Sequence, residues 1–197
     1  LLIPNSVTSI GTKAFYDCHN FNGTLTISDK VTAIPENAFS YCSKIKGSLT
    51  IRDSGTSIDD FAFSYCSSFD GTLTLSNKLT AIKMNAFLQC SGFKGSLSIP
   101  NTCNTIEHGA FSECSGFDGA LSISTSVSSI GSYAFLKCSG FIYTITIPNS
   151  CKTIEEGAFS GCSGFKGTLT LGNSVVTIGA EAFSGCTSLS GSLSIPN

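Results

Sequence analysis

Apolar and polar positions alternate over a short run that returns every 24 residues along the chain. In residues 23–46, Leu25 and Ile27 are apolar while Thr24 and Thr26 are polar, the period-two signature of a strand with one buried face. The run recurs as Leu49/Ile51, Leu73/Leu75, Leu97/Ile99, Leu121/Ile123, Ile145/Ile147 and Leu169/Leu171. A turn follows, Ser28-Asp29-Lys30 in this copy and Pro100-Asn101-Thr102 or Pro148-Asn149-Ser150 in others. Proline fixes φ there, and Asn tolerates turn geometry. Val31 and Ile34 then return to the interior. Ile34, Ala38 and Cys42 stand at i, i+4 and i+8, which predicts one face of a short helical turn. Phe39 fills the interior of the coil and Ile45 closes it.

The pattern occurs eight times, and Phe15, Phe39, Phe63, Phe87, Phe111, Phe135, Phe159 and Phe183 mark it without insertion or deletion. A period in this range predicts a solenoid, in which each coil buries its apolar side only against its neighbours. Residues 1–197 therefore read as one elongated unit, with equivalent residues in straight files. Leu1–Asn5 matches Leu193–Asn197, and neither end carries the polar cap of a terminal repeat. The expectation is a fragment of a longer array.

Ten cysteines suggest a disulfide framework, but eight of them fall in one file, three residues after each Phe of the ruler. Cys103 and Cys151 take the place that Val7, Val31, Val127 and Val175 hold elsewhere. Side chains in one file run parallel, a poor geometry for a bridge. The file reads as buried reduced thiols serving as small apolar residues, with some disulfides as the alternative.

The run Leu-Ser-Ile-Pro-Asn from Leu97, Ile106, Ala110-Phe111 and Cys114-Ser115-Gly116-Phe117 resembles the BspA-like leucine-rich repeats, a family of bacterial and protist cell-surface proteins. The resemblance spans all the copies. It implies an α/β solenoid: eight right-handed 24-residue coils, a parallel β-sheet on one face and short helical or 3-10 turns on another. It also implies a non-enzymatic, cell-surface or secreted protein that binds extracellular matrix proteins, host surface proteins or other cells. No binding residue of the family transfers to this chain.

Charged residues make up only 12% of the chain and the net charge is −2, so no nucleic acid or anionic membrane is indicated as partner. No run approaches the roughly 18 apolar residues that membrane insertion needs. His19 and His108 lie nearly four coils apart, and no phosphate-binding glycine loop, Cys-x-x-Cys or His-Glu-x-x-His occurs. The chain reads as no enzyme, with no cofactor or metal. Acidic residues gather as Asp29 with Asp53 and as Asp59-Asp60 near Glu36, read as a solvated face.

The outward files carry the candidate chemistry. Lys46, Asp70, Lys94 and Asp118 alternate in charge at one equivalent position, which predicts a ladder of ion pairs. Ile142 breaks that file, and Tyr143 breaks the neighbouring file of glycines. Tyr is enriched in contact sites, so Ile142 and Tyr143 are candidate protein-binding residues, as are Tyr41 and Tyr65, which share a file in adjacent coils. Tyr16, Phe61, Met84, Leu88 and Leu136 are further exposed candidates. The hydroxyl rows Thr24/Thr26, Ser48/Thr50, Thr72/Thr74, Ser96/Ser98, Ala120/Ser122, Thr144/Thr146, Thr168/Thr170 and Ser192/Ser194 resemble the Thr-x-Thr arrays of ice-binding solenoids, a third functional reading. Asn22-Gly23-Thr24 is a glycosylation sequon. The leading function is an adhesin-like interaction module with a protein ligand. The runner-up is a structural spacer whose coils stack head to tail.

Overall fold

The structure is a computed structural model that describes residues 1–192. The matching segment Leu193–Asn197 and the hydroxyl of Ser194 lie outside the described residues. The chain winds as a parallel β-solenoid with two ladders of two-residue strands. The first ladder holds β2 (Leu49–Thr50), β4 (Leu73–Thr74), β6 (Leu97–Ser98), β8 (Leu121–Ser122), β10 (Ile145–Thr146) and β12 (Leu169–Thr170). The second holds β1 (Ala33–Ile34), β3 (Ser57–Ile58), β5 (Ala81–Ile82), β7 (Thr105–Ile106), β9 (Ser129–Ile130), β11 (Thr153–Ile154) and β13 (Thr177–Ile178). Each pairing between these strands is parallel and joins residues 24 apart, as in Leu49 with Leu73 and Ile106 with Ile130.

Inside, equivalent side chains stack on one another. The rings of Phe39 and Phe63 lie 5.3 Å apart and 3° from parallel, and those of Phe87 and Phe111 lie 5.2 Å apart at 1°. The file runs unbroken from Phe15 to Phe183. A second file runs from Phe69 through Phe93, Phe117 and Phe141 to Phe165. Rings parallel at these separations are offset, the arrangement aromatic quadrupoles favour.

Two expectations need correction. The described residues contain no helix, so the fold is a β-solenoid rather than α/β. The segment holding Ala38 and Phe39 folds as consecutive turns whose N–H groups alternate between two destinations. Those of Asn37, Phe39 and Tyr41 donate to Asp60, Ala62 and Ser64 of the next coil at 3.0, 2.8 and 2.8 Å. Those of Ala38, Ser40 and Cys42 donate three residues back, to Pro35, Asn37 and Phe39. Asn37 and Tyr41 are left-handed (φ 55° and 62°), and the same two files repeat this at Phe61 and Tyr65, Asn85 and Gln89, and Tyr133 and Lys137. An α-helix needs negative φ throughout and every N–H aimed at i−4. A left-handed residue at every fourth position breaks that run and sends alternate groups along the axis. The i, i+4, i+8 spacing came from a repeated turn. The count of eight coils is also too high for the sheet geometry. The six strands of the first ladder mark about six regular turns, and toward the N-terminus that ladder dwindles to the isolated bridges Leu2–Thr26 and Thr24–Lys46.

The first ladder also has a longer rhythm. β2 pairs with β4, β6 with β8 and β10 with β12, and pairing lapses between β4 and β6 and between β8 and β10. Gly47 and Gly95 are left-handed (φ 80° and 77°), whereas Gly71 and Gly119 are not. The N–H groups of Gly47 and Gly95 donate to Oδ1 of Asp70 and Asp118, both at 2.7 Å. Behind them, the N–H groups of Thr72 and Ala120 donate to the Ser48 and Ser96 hydroxyls, both at 3.0 Å. The structural unit of this face is thus a pair of coils. Among the described residues no ion pair joins Lys46 or Lys94 to Asp70 or Asp118, so the predicted ladder is absent. The carboxylates instead take backbone donors, short charge-assisted bonds that the reversed glycine presents. Ion pairs between coils occur elsewhere, at Arg52–Asp29 (2.6 Å), Lys83–Glu107 (2.9 Å) and Lys137–Glu113 (3.8 Å).

The cysteine file is reduced. All ten thiols are free and eight are buried. Each thiol of the main file from Cys42 onward donates to the carbonyl of a Phe 27 residues earlier, as Cys66 does to Phe39 and Cys90 to Phe63, both at 3.0 Å. The position therefore asks for a small apolar group that also donates, a requirement beyond the small hydrophobe read from the sequence. Burial pushes these thiols up: Cys66, Cys90, Cys138 and Cys162 lie well above the ordinary value of 9.0. Cys42 and Cys103 are raised to about 11, again by burial first.

Two outcomes follow from this packing. Asp118→Ala is expected to lower unfolding free energy by about 1 kcal/mol while Lys94→Ala leaves it unchanged; equal losses in urea denaturation would restore the ion-pair ladder. For the thiols, the folded state holds protons that the unfolded state releases, so their contribution is complete below pH 9 and falls away as pH rises toward 11. Melting scans should show that alkaline decline. Iodoacetamide at neutral pH should label Cys18 and Cys186, both half-buried, ahead of the eight buried thiols.

Candidate interaction surfaces

One file of left-handed turn residues reads Asp17, Tyr41, Tyr65, Gln89, Glu113, Lys137, Gly161 and Gly185. Positive φ throws these side chains off the coil, and the file forms an edge of the solenoid. The Tyr41 and Tyr65 rings stack at 4.5 Å, 5° from parallel, and Tyr16 meets Tyr41 edge-on at 5.7 Å. The Lys13 ammonium sits 5.8 Å from the Tyr16 ring centre. The sequence placed Tyr41 and Tyr65 in one file; the structure brings them into contact and adds Tyr16, which sits one position earlier in its coil. Tyr16 and Tyr41 remain 44% and 40% exposed. The Tyr65 hydroxyl is raised in pKa, by desolvation first and then by Tyr41 and Glu113.

Beyond the tyrosines the edge turns polar. Gln89 Nε2 donates to Glu113 Oε2 at 2.8 Å, and Lys137 Nζ lies 3.8 Å from Glu113 Oε1. These three side chains, with Ser91, Ser115 and Ser139, line a groove of about 430 Å³. At Gly161 and Gly185 the edge is bare. Phe61, Met84, Leu88 and Leu136, expected to be exposed, are half-buried, because neighbouring coils cover most of each turn.

Ile142 and Tyr143 lie elsewhere, just before β10, and are 39% and 57% exposed. They adjoin one another but not the tyrosine edge, since they sit at a different corner of the coil and more than three coils from Tyr65, about 15 Å along the axis. Tyr143 stands where Gly47 and Gly95 turn left-handed, and in this pair of coils the left-handed glycine is Gly167 (φ 75°). The Ser/Thr rows on this face are exposed but irregular. Ser48 and Ser96 spend their hydroxyls on backbone donors, Ala120 leaves a gap, and pairing lapses after every second strand. A flat lattice of threonines of the kind that matches ice is not maintained.

The remaining sequence candidates are dispersed. Asn22 is exposed. Asp29 pairs with Arg52, Asp53 accepts the Asn77 N–H at 3.0 Å, and Glu36, Asp59 and Asp60 surround Lys83 in a shallow depression. His19 Nδ1 lies 3.0 Å from Asp17 Oδ1, and His108 meets the Tyr133 ring edge-on at 5.8 Å. The Tyr133 hydroxyl donates to Glu156. Among the described residues no three of these acidic, cysteine or histidine side chains come together as a metal site, and the candidates lie spread over the surface.

Comparison with known proteins agrees. The model of the BspA type leucine rich repeat region (6 copies) matches residues 1–118 and 93–197. Among solved structures, a leucine-rich repeat protein of T. pallidum is 24% identical over 96% of this chain and 77% of its own, with a TM-score of 0.62. A leucine-rich repeat protein from Bacteroides ovatus is 23% identical over 95% of this chain and 64% of its own, with a TM-score of 0.55. These likenesses concern the fold. A comparison with curated proteins finds no match. With its repeat period, its two parallel ladders and a family model covering it from end to end, the chain belongs to the BspA-type leucine-rich repeat family.

Proposed function

We propose that this chain is a non-enzymatic interaction module, displayed at a cell surface or secreted, that binds a protein partner of the matrix or a host surface as an adhesin does. The observation that carries the reading is the tyrosine ridge. Tyr16, Tyr41 and Tyr65 form one contiguous aromatic surface, and tyrosine supplies large, amphipathic contact area at little conformational cost. The ridge is rigid because its backbone is held by bonds to the next coil, such as Tyr65 N–H to Leu88 at 2.7 Å. Beside it, Gln89, Glu113 and Lys137 supply a polar rim. The leucine-rich-repeat family supports the same reading, since such repeats generally mediate protein–protein contact. Ile142 is a second apolar anchor for a partner that spans several coils.

The test is surface plasmon resonance against extracellular matrix proteins, fibronectin among them. Tyr41→Ala combined with Tyr65→Ala should weaken the bound partner about tenfold or more and leave the far-ultraviolet spectrum unchanged. Undiminished binding by the double variant would remove the ridge as the contact. Sedimentation on the same samples separates the spacer reading, for which particles should lengthen as concentration rises.

A further inference from the structure

The face around Tyr143 has chemistry unlike that of the tyrosine ridge. Its file neighbours are Gly119 and Gly167, so no side chain of that file covers either broad face of the ring. The ring stands 57% exposed at the head of β10. In front of it the outward positions of β8, β10 and β12 are Ser122, Thr146 and Thr170, all exposed. The far wall is the turn carrying Asn149 and Asn173, where the Asn173 N–H donates to Asn149 Oδ1 at 2.9 Å. That bond orients the Asn149 amide and leaves its NH2 to donate elsewhere. The whole forms a shallow depression of about 720 Å³ across three coils, and no charged side chain lines it. The groove beside the tyrosine ridge, by contrast, contains Glu113 and Lys137.

From this juxtaposition we propose that the Tyr143 depression binds a neutral saccharide. An electron-rich ring face accepts the polarised C–H face of a pyranose, and the hydroxyl and amide rows exchange hydrogen bonds with sugar hydroxyls in both directions. A charge-free lining offers an acidic or basic ligand no ion pair, while a neutral polyol loses nothing by that. β10 and β12 pair as neighbouring rungs, Thr146 beside Thr170, at the usual separation of about 4.8 Å, so two successive sugar units lying along the axis each meet an outward hydroxyl. Tyr143 occupies a position where the other coils carry glycine, so its removal returns the corner to the ordinary repeat.

Calorimetric titration of the full chain with maltohexaose, cellohexaose and mannohexaose, and with a heparin hexasaccharide as the anionic control, tests the site. At least one neutral hexasaccharide should bind and the heparin fragment should not. Tyr143→Gly should weaken that binding about tenfold, Tyr143→Phe should retain it, and Tyr41→Ala should leave it unchanged. Failure of all three neutral probes to bind, or equal affinity of the Tyr143→Gly variant, would overturn the proposal. Capture of an enzymatically deglycosylated protein through Tyr143 would also overturn it, because that face would then read protein. None of these results bears on the ridge, whose variants are separate.

Discussion

Everything in this molecule depends on equal rise. Each coil leaves one row of N–H groups and one row of carbonyls pointing along the axis, and these are satisfied only by a neighbour whose groups stand at the same stations. Buried backbone groups left without partners are costly, so the interval between copies cannot drift by one residue. The same rule aligns Phe on Phe and thiol on the carbonyl below it, and the packing and the hydrogen bonding enforce one register. No coil has a core of its own; stability resides in the contacts between neighbours.

That constraint acts unequally around the coil. Inward positions are held to a few residue types, and so are the left-handed corners, though in a different way. At Asn37 and Tyr41 the backbone is locked by bonds to the next coil while the side chain is thrown outward. The inter-coil bonds offset the steric penalty of positive φ in a non-glycine residue. Once that penalty is offset, the outward side chain is free to vary: aspartate, tyrosine, glutamine, glutamate, lysine or glycine all occupy one such file. A rigid corner with a variable side chain is a good platform for recognition, and the tyrosine ridge is built on it.

The corner before the first ladder works differently. Here alternate coils reverse a glycine and hand its N–H to an aspartate of the next coil, so that strands bond in twos. Tyr143 marks the pair of coils where the reversed glycine is Gly167 instead, with Ser190 rather than an aspartate in the next coil. Departures from a repeat gather where the backbone has two ways to meet its neighbour, and this is where the face acquires a feature of its own.

The period of 24, the alternation of Leu25 and Ile27 with threonine, and the cysteine file determined the solenoid, its buried residues and its free thiols, because apolar burial is a property of position within the repeat. The shared file of Tyr41 and Tyr65 followed from the same arithmetic. The helix predicted at Ile34, Ala38 and Cys42 failed because an apolar spacing of four is common to a helix and to a repeated turn. Nor is Ala33–Ile34 long enough as a strand to show its own periodicity, so the second ladder was not legible. The Lys46–Asp118 alternation was visible as charge, but whether a carboxylate meets an ammonium or a backbone N–H depends on the φ of Gly47 and Gly95. Those choices belong to the tertiary structure: they are settled by where the neighbouring coil places its donors, and the spacing of residue types along one chain carries no record of that.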